Sequence, residues 1–145
     1  MKLVLANGCF DILHHAHIAH LREARAMGDY LVVSLTLDNW VNKGPGRPIY
    51  TWEQRALLLR ELRCVDEVIP TMTAVAAILR VRPQVFVKGI DYSQGAWWTE
   101  DVLTACKDVG AQLRFTITEK FSATDTIRKA MADVDENSRS AAADK

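Results

Sequence analysis

The chain has 145 residues, of which 49% are hydrophobic and 25% are charged, and this composition is typical of one globular domain with a single core. Eighteen basic residues balance eighteen acidic ones, so no overall field favours nucleic acid or an anionic membrane, and an anion site has to be local. The three cysteines lie far apart, and no segment approaches the roughly 20 apolar residues of a membrane span. We therefore expect a cytoplasmic protein without disulfides, signal peptide or membrane partner.

Short apolar runs alternate along the chain with segments of helical periodicity, and this alternation predicts βαβ units around a parallel sheet. The predicted strands are 2–6, 30–37, 67–69, 84–87 and 112–116. The predicted helices are 18–27 with Gly28 as its C-cap, one opened by a capping box of Thr51 and Gln54, 74–81, 100–109 and 125–132. The predicted fold class is α/β, a doubly wound Rossmann-like five-stranded parallel sheet in a single domain.

Two segments fall outside these elements. Residues 39–50 contain two glycines and two prolines, which disfavour regular structure and predict a functional loop. Residues 133–145 are mostly small and polar, so they bury too little surface to repay the entropy of ordering. We predict a domain over 1–132 followed by a disordered C-terminal tail over 133–145.

All four histidines of the protein lie within seven positions, directly after the first predicted strand. In an open parallel sheet, ligands bind beyond the carboxyl ends of the strands, and the helix that follows presents free N–H groups and a positive dipole end to phosphate. His14 and His17 are three residues apart on an early helical turn and therefore project from one face. This pattern predicts a phosphate site, in which His15 and His20 have structural or supporting roles.

The residues before the histidines suit a loop that approaches phosphate closely. Gly8 allows the chain to turn sharply and lets phosphates reach the backbone, Phe10 can fill the core, and Asp11 can hold the turn by accepting backbone N–H groups. Cys9 lies beside the site, but phosphate chemistry of this kind requires no thiol nucleophile.

In register, Gly8, Phe10, Asp11, His14 and His17 resemble the signature Gly-x-Phe-Asp-x-x-His-x-Gly-His of the cytidylyltransferase-like nucleotidyltransferase superfamily. Later landmarks recur in order over nearly the whole chain. They are Lys43-Gly44 with Arg47-Pro48, Glu53-Gln54-Arg55, Val65-Asp66-Glu67-Val68, Val87-Lys88-Gly89 with Asp91-Tyr92, and Ser122-Ala123-Thr124. The chain is most similar to the heptose-1-phosphate adenylyltransferase and glycerol-3-phosphate cytidylyltransferase subfamilies.

The resemblance implies an enzyme that transfers a nucleoside monophosphate from a nucleoside triphosphate to a sugar or polyol phosphate and releases pyrophosphate. ATP is favoured, with CTP as the alternative, and glycerol-3-phosphate cytidylyltransferase is the competing subfamily. Mg²⁺ is the implied cofactor, no protein metal ligand is assigned, and a homodimer is the implied assembly. The adjacent Trp97 and Trp98 are interpreted as an interface.

The site residues follow from the resemblance and from the need for cations and N–H donors where two phosphates meet. The expected catalytic residues are His14, His17, Lys43 and Arg128. The expected nucleotide-binding residues are Asn7, Gly8, Cys9, Phe10, Asp11, Lys88, Gly89, Asp91, Tyr92, Ser122 and Thr124. The expected acceptor-binding residues are Lys43, Arg47, Arg55 and Arg63.

Two departures from the family pattern leave alternatives open. Ala16 replaces the glycine between the histidines, and Ile117 and Thr118 stand where cytidylyltransferases have an arginine. A non-catalytic nucleotide-binding module is one alternative. A zinc-binding interaction protein built on the histidines is the other, although no nearby carboxylate or cysteine completes a zinc set.

Overall fold

The computed structural model describes residues 1–89, 100–119 and 121–143. Five strands form its sheet: β1 (Leu3–Gly8), β2 (Tyr30–Thr36), β3 (Glu67–Thr71), β4 (Val85–Gly89) and β5 (Gln112–Thr116). Their order is β3-β2-β1-β4-β5, and every neighbouring pair is parallel. The predicted Rossmann-like fold class is confirmed. The winding direction reverses beside β1, so the crevice between β1 and β4 is the topological switch point where such sheets bind ligands.

Five α-helices connect and flank the strands. They are α1 (His15–Arg25), α2 (Trp52–Arg60), α3 (Ala74–Val81), α4 (Glu100–Val109) and α5 (Ala123–Ala143). The predicted capping box opens α2, because the Gln54 N–H donates to Thr51 Oγ1 at 3.2 Å and the Thr51 N–H donates to Gln54 Oε1 at 3.0 Å.

Both faces of the sheet are covered, which explains why its central strands are apolar over most of their length. Val4 of β1 packs in one core cluster with Leu21 of α1, and the next residue, Leu5, packs in a second cluster with Ile78 of α3. All four side chains are fully buried. Alternation along β1 therefore divides the core into two layers, and β1 is held rigidly between them.

Three of the described strands run further towards their carboxyl ends than predicted, while β2 ends at Thr36 and β5 at Thr116. β1 continues to Gly8, β3 to Thr71 and β4 to Gly89, because their parallel neighbours extend the ladder to the pairs Gly8↔Leu35, Thr36↔Thr71 and Gly89↔Thr116. The polar and glycine residues at these ends give no apolar signal, yet they form the edge that carries the site.

The expected C-cap at Gly28 is wrong. Helix α1 has its C-cap at Ala26 in right-handed geometry. Gly28 lies instead where the chain passes β1, and a Cβ there would approach Val4 Cγ2 to 2.6 Å and the Lys2 carbonyl oxygen to 2.7 Å. A close approach of two backbone segments, and not helix termination, requires glycine at this position.

Helix α5 continues to Ala143, so the predicted end of the last helix at Ala132 is wrong. Residues 125–141 are exposed, and the extension adds nothing to the core. Alanine, glutamate and arginine have high intrinsic helix propensities. The prediction of a disordered tail considered only the surface that residues 133–145 can bury and left this propensity out. The division into a domain over 1–132 and a tail stays a prediction. Among the described residues, no helix combines the length and apolar character needed to cross a membrane.

Candidate active site

A cleft of about 450 Å³ lies at the carboxyl ends of β1, β4 and β5, at the predicted edge of the sheet. Twelve of the predicted site residues line it: Asn7, Gly8, Cys9, Phe10, Asp11, His14, His17, Lys43, Lys88, Gly89, Ser122 and Thr124. The remaining lining residues are Ile12, Ala16, His20, Thr36, Thr116, Thr118, Glu119, Phe121 and Ala123. Asp91, Tyr92, Trp97 and Trp98 lie outside the described residues.

Two helices begin at this cleft. Ala16 and His17 in the first turn of α1 line one side, and Ala123 and Thr124 in the first turn of α5 line another. Ser122 caps α5, since its Oγ accepts the Asp125 N–H at 3.2 Å. Both helix dipoles therefore present their positive ends to the same space, which suits a ligand with several negative groups.

The His14 and His17 rings stack on each other with centroids 3.7 Å apart and an interplanar angle of 18°. Phe10 packs edge-on against His17 at 5.2 Å, and Phe121 packs edge-on against His14 at 4.9 Å. The backbone N–H of His14 donates to His17 Nδ1 at 3.2 Å. Because Nδ1 accepts, the proton of a neutral His17 ring is on Nε2.

Both histidines are poor bases in this setting. Burial, followed by the charges of His14 and Lys43, lowers the pKa of His17 to about 3. Burial, followed by the charges of His15 and Lys43, also lowers the pKa of His14. His14 Nδ1 is buried and has no hydrogen-bond partner within the described part of the chain. At neutral pH the pair therefore consists of two uncharged rings, and His17 is a hydrogen-bond donor through Nε2.

Asp11 is buried and organises the neighbouring loop. Its carboxylate accepts the Ile49 N–H at 2.8 Å, the Tyr50 N–H at 3.0 Å and Arg47 Nε at 3.0 Å. Burial on its own raises the pKa of this carboxyl, but the three hydrogen bonds and the guanidinium charge outweigh it and hold the pKa below its ordinary value. Asp11 accepts backbone N–H groups, as predicted, but those groups belong to the Gly/Pro loop over 39–50 and not to its own turn.

Gly8 is required for packing and not for a turn. It is the last residue of β1 and has no positive φ. A Cβ there would come within 2.8 Å of Phe10 Cε2, so the missing side chain makes room for the Phe10 ring. That ring is 5% exposed and belongs to the core, which confirms the expectation for Phe10.

Two lysine ammonium groups reach the cleft. Lys43 Nζ donates to the Asp11 carbonyl oxygen, and Lys88 Nζ donates to the Asn7 carbonyl oxygen, each at 3.3 Å. Lys43 approaches from the Gly/Pro loop and Lys88 from β4, so the cations stand on two different elements of the wall.

The predicted acceptor contact of Arg55 is corrected, because its guanidinium is inside the protein. Its side chain is fully buried, and it donates to the carbonyl oxygens of Tyr50, Cys9 and Thr36 at 2.9–3.0 Å and to Asp38 Oδ1 at 2.6 Å. With these partners Arg55 joins α2 to the loops behind the cleft, and it cannot meet a ligand.

Two further predicted arginines do not reach the cleft in this structure. Arg63 is exposed after α2. Arg128 has a side chain that is 75% exposed and lies 3.5 Å from Asp125, one turn along α5. Their expected contacts with substrate stay predictions, which the geometry of the cleft does not support.

At the two positions where the chain departs from the family pattern, the backbone is unstrained. Ala16 is an ordinary residue in the first turn of α1 without positive φ, and it lines the cleft. Ile117 is 82% exposed, while the Thr118 hydroxyl donates to the Glu23 carboxylate and lies in the wall. A helical residue at 16 needs no glycine.

Sequence reasoning missed the part of the wall that follows β5. His20 Nδ1 lies 2.6 Å from Thr116 Oγ1, and Glu23 accepts the Ile117 N–H at 2.8 Å. Thr116 could have been found as a polar residue at the carboxyl end of a strand in a parallel sheet. Nothing in the sequence identified Glu23 as the partner that holds this segment to α1.

Within the part of the chain that the structure describes, the histidine cluster does not combine with other side chains into a metal site. Within residues 1–89, 100–119 and 121–143, no group of three histidine, cysteine or acidic side chains is arranged to hold a metal ion. The described residues therefore give no support to the zinc-binding alternative.

Two relatives that are similar to this chain in sequence carry the same name. The bifunctional protein HldE of Helicobacter pylori strain J99 is 46% identical over 95 residues, which are 63% of this chain and 20% of that protein. HldE of Pseudomonas fluorescens strain Pf-5 is 49% identical over 96 residues, again 63% of this chain and 20% of that protein. The chain thus spans about a fifth of the length of these relatives.

Solved structures and a family profile agree with this result. A lipopolysaccharide core biosynthesis protein from Thermoplasma volcanium superposes with a TM-score of 0.66 at 29% identity, covering 84% of this chain and 99% of that one. Pantoate-beta-alanine ligase from Francisella tularensis shares the fold alone, with a TM-score of 0.57 at 15% identity over 83% of this chain and 60% of that one. The profile described as Cytidylyltransferase-like matches residues 5–130. Since this match covers most of the chain, including every residue that lines the cleft, the chain belongs to the cytidylyltransferase-like family.

Proposed function

We propose that this chain is a nucleotidyltransferase that transfers a nucleoside monophosphate, from ATP in preference to CTP, to a sugar or polyol phosphate. The observation that carries the proposal is one cleft in which the His14 and His17 rings, two helix N-termini and two lysines face the same space. The similarity to HldE and to a lipopolysaccharide core biosynthesis protein supports a sugar phosphate as the acceptor.

The reaction joins two anions. An oxygen of the acceptor phosphate attacks the α-phosphorus of the nucleoside triphosphate and forms a new P–O bond. The bond from that phosphorus to the oxygen bridging to the β-phosphate breaks, and pyrophosphate leaves with the electron pair. The attacking oxygen is already ionised, so the step needs no general base, and stabilisation of developing charge dominates.

The wall formed by α1 suits the triphosphate. His17 donates through Nε2, because its other nitrogen is occupied by the His14 backbone N–H. A neutral donor of this kind stabilises charge that grows on phosphate oxygens, and it does not have to lose or gain a proton. Ser122 and Thr124 at the start of α5 hold other nucleotide phosphates, and Lys43 bridges the acceptor phosphate and the nucleotide.

Mg²⁺ is proposed as the cofactor, and the described side chains do not form a dedicated cage for it. Both oxygens of Asp11 are already occupied by Arg47, Ile49 and Tyr50. Mg²⁺ commonly binds substrate phosphates and keeps several waters, so we expect it to enter with the nucleotide. Removal by EDTA should abolish turnover, and added Mg²⁺ should restore it.

The decisive experiment follows pyrophosphate while the protein is incubated with Mg²⁺, each of four nucleoside triphosphates and a panel of sugar and polyol phosphates. Release that depends on one acceptor and is fastest with ATP supports the proposal. Calorimetric binding of a nucleotide without pyrophosphate release across the panel would contradict it and favour the non-catalytic module.

We also propose a homodimer that functions in the cytoplasm. Neighbouring leucines on α2 leave apolar surface uncovered, with Leu57 60% and Leu58 42% exposed. Patches of this kind are typical of subunit contacts. Light scattering on the purified protein tests the assembly, and cell fractionation tests the location.

A further inference from the structure

The loop that precedes α2 carries two cations in different settings. Lys43 is exposed and makes one long hydrogen bond, at 3.3 Å, to the Asp11 carbonyl oxygen. The Arg47 side chain is only 12% exposed. Its Nε donates to Asp11 Oδ2 at 3.0 Å, one terminal nitrogen donates to Thr124 Oγ1 at 3.2 Å, and the other donates to the Asp11 carbonyl oxygen.

We propose that Arg47 is a positioning residue that fastens this loop to Asp11 and to the first turn of α5, and thereby places Lys43 at the cleft. This inference rests on the proposed function and assigns Arg47 a role other than its predicted contact with the acceptor. All three guanidinium nitrogens are engaged by the protein, and Arg47 does not line the cleft.

Arg47 and Lys43 differ in how their charges are balanced and in how freely they can reach a ligand. The Asp11 carboxylate lies against Arg47 and balances its charge inside the protein, so an incoming phosphate gains little from Arg47. Lys43 faces no carboxylate at hydrogen-bond distance in the described part of the chain and can turn its ammonium group towards a ligand. The acceptor phosphate is therefore met by Lys43, at a position that Arg47 sets.

The guanidinium group suits this task because it is planar and donates in several directions at once. Arg47 joins Asp11, 36 residues away, to Thr124, 77 residues away. A lysine at this position keeps the charge but lacks the planar group whose separate nitrogens donate to Asp11 and to Thr124. The substitution R47K therefore separates the charge of Arg47 from its bridging geometry.

A measurement without substrate tests the bridge. The amides of Ile49 and Tyr50 donate to Asp11 on the same carboxylate as Arg47, so their hydrogen exchange, measured by NMR, reports how firmly the loop is held. We expect exchange at both amides to be about 10-fold faster in R47K and R47M than in the parent. R80M, at an exposed arginine on α3, is the control and should leave both amides unchanged. Unchanged exchange in both Arg47 variants would overturn the proposal.

A kinetic cycle tests whether Arg47 acts through Lys43. Alone, R47M should lower kcat by about 10-fold and change KM for the acceptor by less than about 3-fold. In a K43M background it should have less than about a 2-fold further effect, since the group it positions is gone. A rise of about 10-fold in acceptor KM with unchanged kcat, in both backgrounds, would instead show direct acceptor binding and overturn the proposal.

The two measurements keep the inference separate from the proposed function. If the parent protein has no transferase activity, the proposed function fails, and the exchange rates still decide whether Arg47 holds the loop. If R47M does not fold, as judged by circular dichroism, R47K and T124V provide the exchange data. T124V removes one of the three contacts, so it should speed exchange by less than R47K, and an effect as large as that of R47K would contradict the assignment.

Discussion

The two walls of the cleft are built over very different distances along the chain. On the α1 side, Phe10, His14 and His17 hold one another by ring contacts and one backbone hydrogen bond within eight residues. On the loop side, Asp11 and Thr124 line the cleft, and Arg47 joins them from behind across 36 and 77 residues. The first wall therefore depends mainly on one strand-to-helix junction, and the second depends on the whole fold.

Because of this difference, substitutions in the two walls should affect different quantities, namely turnover in one case and the free energy of unfolding in the other. A change of His14 or His17 in the α1 wall should remove interactions with phosphate and leave the rest of the protein intact. A change in the loop wall removes a buried hydrogen-bond network and should weaken the fold as well. The following substitutions test this distinction, beginning with the largest expected effect.

H14A and H17A should each lower kcat/KM by about 100- to 1,000-fold, or roughly 3–4 kcal/mol of transition-state stabilisation. Nucleotide affinity should change much less, because the dipole of α1 and its backbone N–H groups remain. Steady-state kinetics and calorimetry measure the two effects. R80A is the control, since Arg80 is exposed on α3 and absent from the cleft lining, and it should be close to the parent. Near-normal turnover in either H14A or H17A would contradict their assigned roles.

D11N should lower the free energy of unfolding by about 2–3 kcal/mol at pH 7, because it removes a buried charge partner of Arg47. The pKa of Asp11 in the folded state lies below its ordinary value of 3.8, so the carboxylate contributes stability above that pH. This contribution is lost as the pH falls through the lowered pKa. Urea unfolding should therefore show a gap between parent and D11N at pH 7 that shrinks below about pH 4.

The control for D11N is D125N, at a carboxylate whose side chain is 73% exposed. It should change stability by less than about 0.5 kcal/mol. A gap between parent and D11N that stays constant from pH 7 to pH 3 would show that the charge of Asp11 is not the cause.

G8A should lower the free energy of unfolding by about 1–3 kcal/mol, since its Cβ would collide with the Phe10 ring in the core. The Phe10 ring also supports His17, so activity should fall along with stability. In the double variant G8A/F10L the smaller side chain leaves room for the methyl group. Chemical denaturation should then show that the double variant loses less free energy of unfolding than the sum of the losses in the two single variants. Strictly additive losses would argue against this contact.

S122A should have the smallest effect, about 1 kcal/mol of stability, through loss of the cap on α5. It should also weaken nucleotide binding, because the hydroxyl lies in the cleft wall. S122T keeps the hydroxyl and serves as the control. Thermal unfolding and calorimetric titration measure the two effects, and equal behaviour of S122A and S122T would rule out a role for the hydroxyl.

The α1 wall could be predicted because its information is local. Spacing within Gly8 to His17 specifies a strand, a turn and a helix start, and Phe10, His14 and His17 all belong to this segment. Even so, the sharp turn expected at Gly8 was wrong, since clearance for a ring cannot be inferred from spacing, while the approach of phosphate to its backbone stays a prediction. The neutral state of His17 likewise depends on burial of its ring and on the His14 backbone N–H that donates to it, and both arise only in the tertiary structure.

The arginines show where prediction from residue order fails. Arg55 was expected at the acceptor and is instead bonded to four groups inside the protein. Arg128 was expected in catalysis, and in this structure its exposed side chain lies 3.5 Å from Asp125 and does not line the cleft, so that role stays a prediction. A long side chain can reach several neighbours, and its position along the chain does not indicate which one it meets.

Residue order alone was enough for the parallel α/β layout, the cleft at the first strand-to-helix junction and the family resemblance, because periodicity and short spacing act within one or two elements. Folding in three dimensions settled which cations face the cleft, what Asp11 holds and how far α5 extends. Those features depend on burial and on hydrogen bonds between residues far apart in the chain, and such pairs become neighbours only when the sheet has formed.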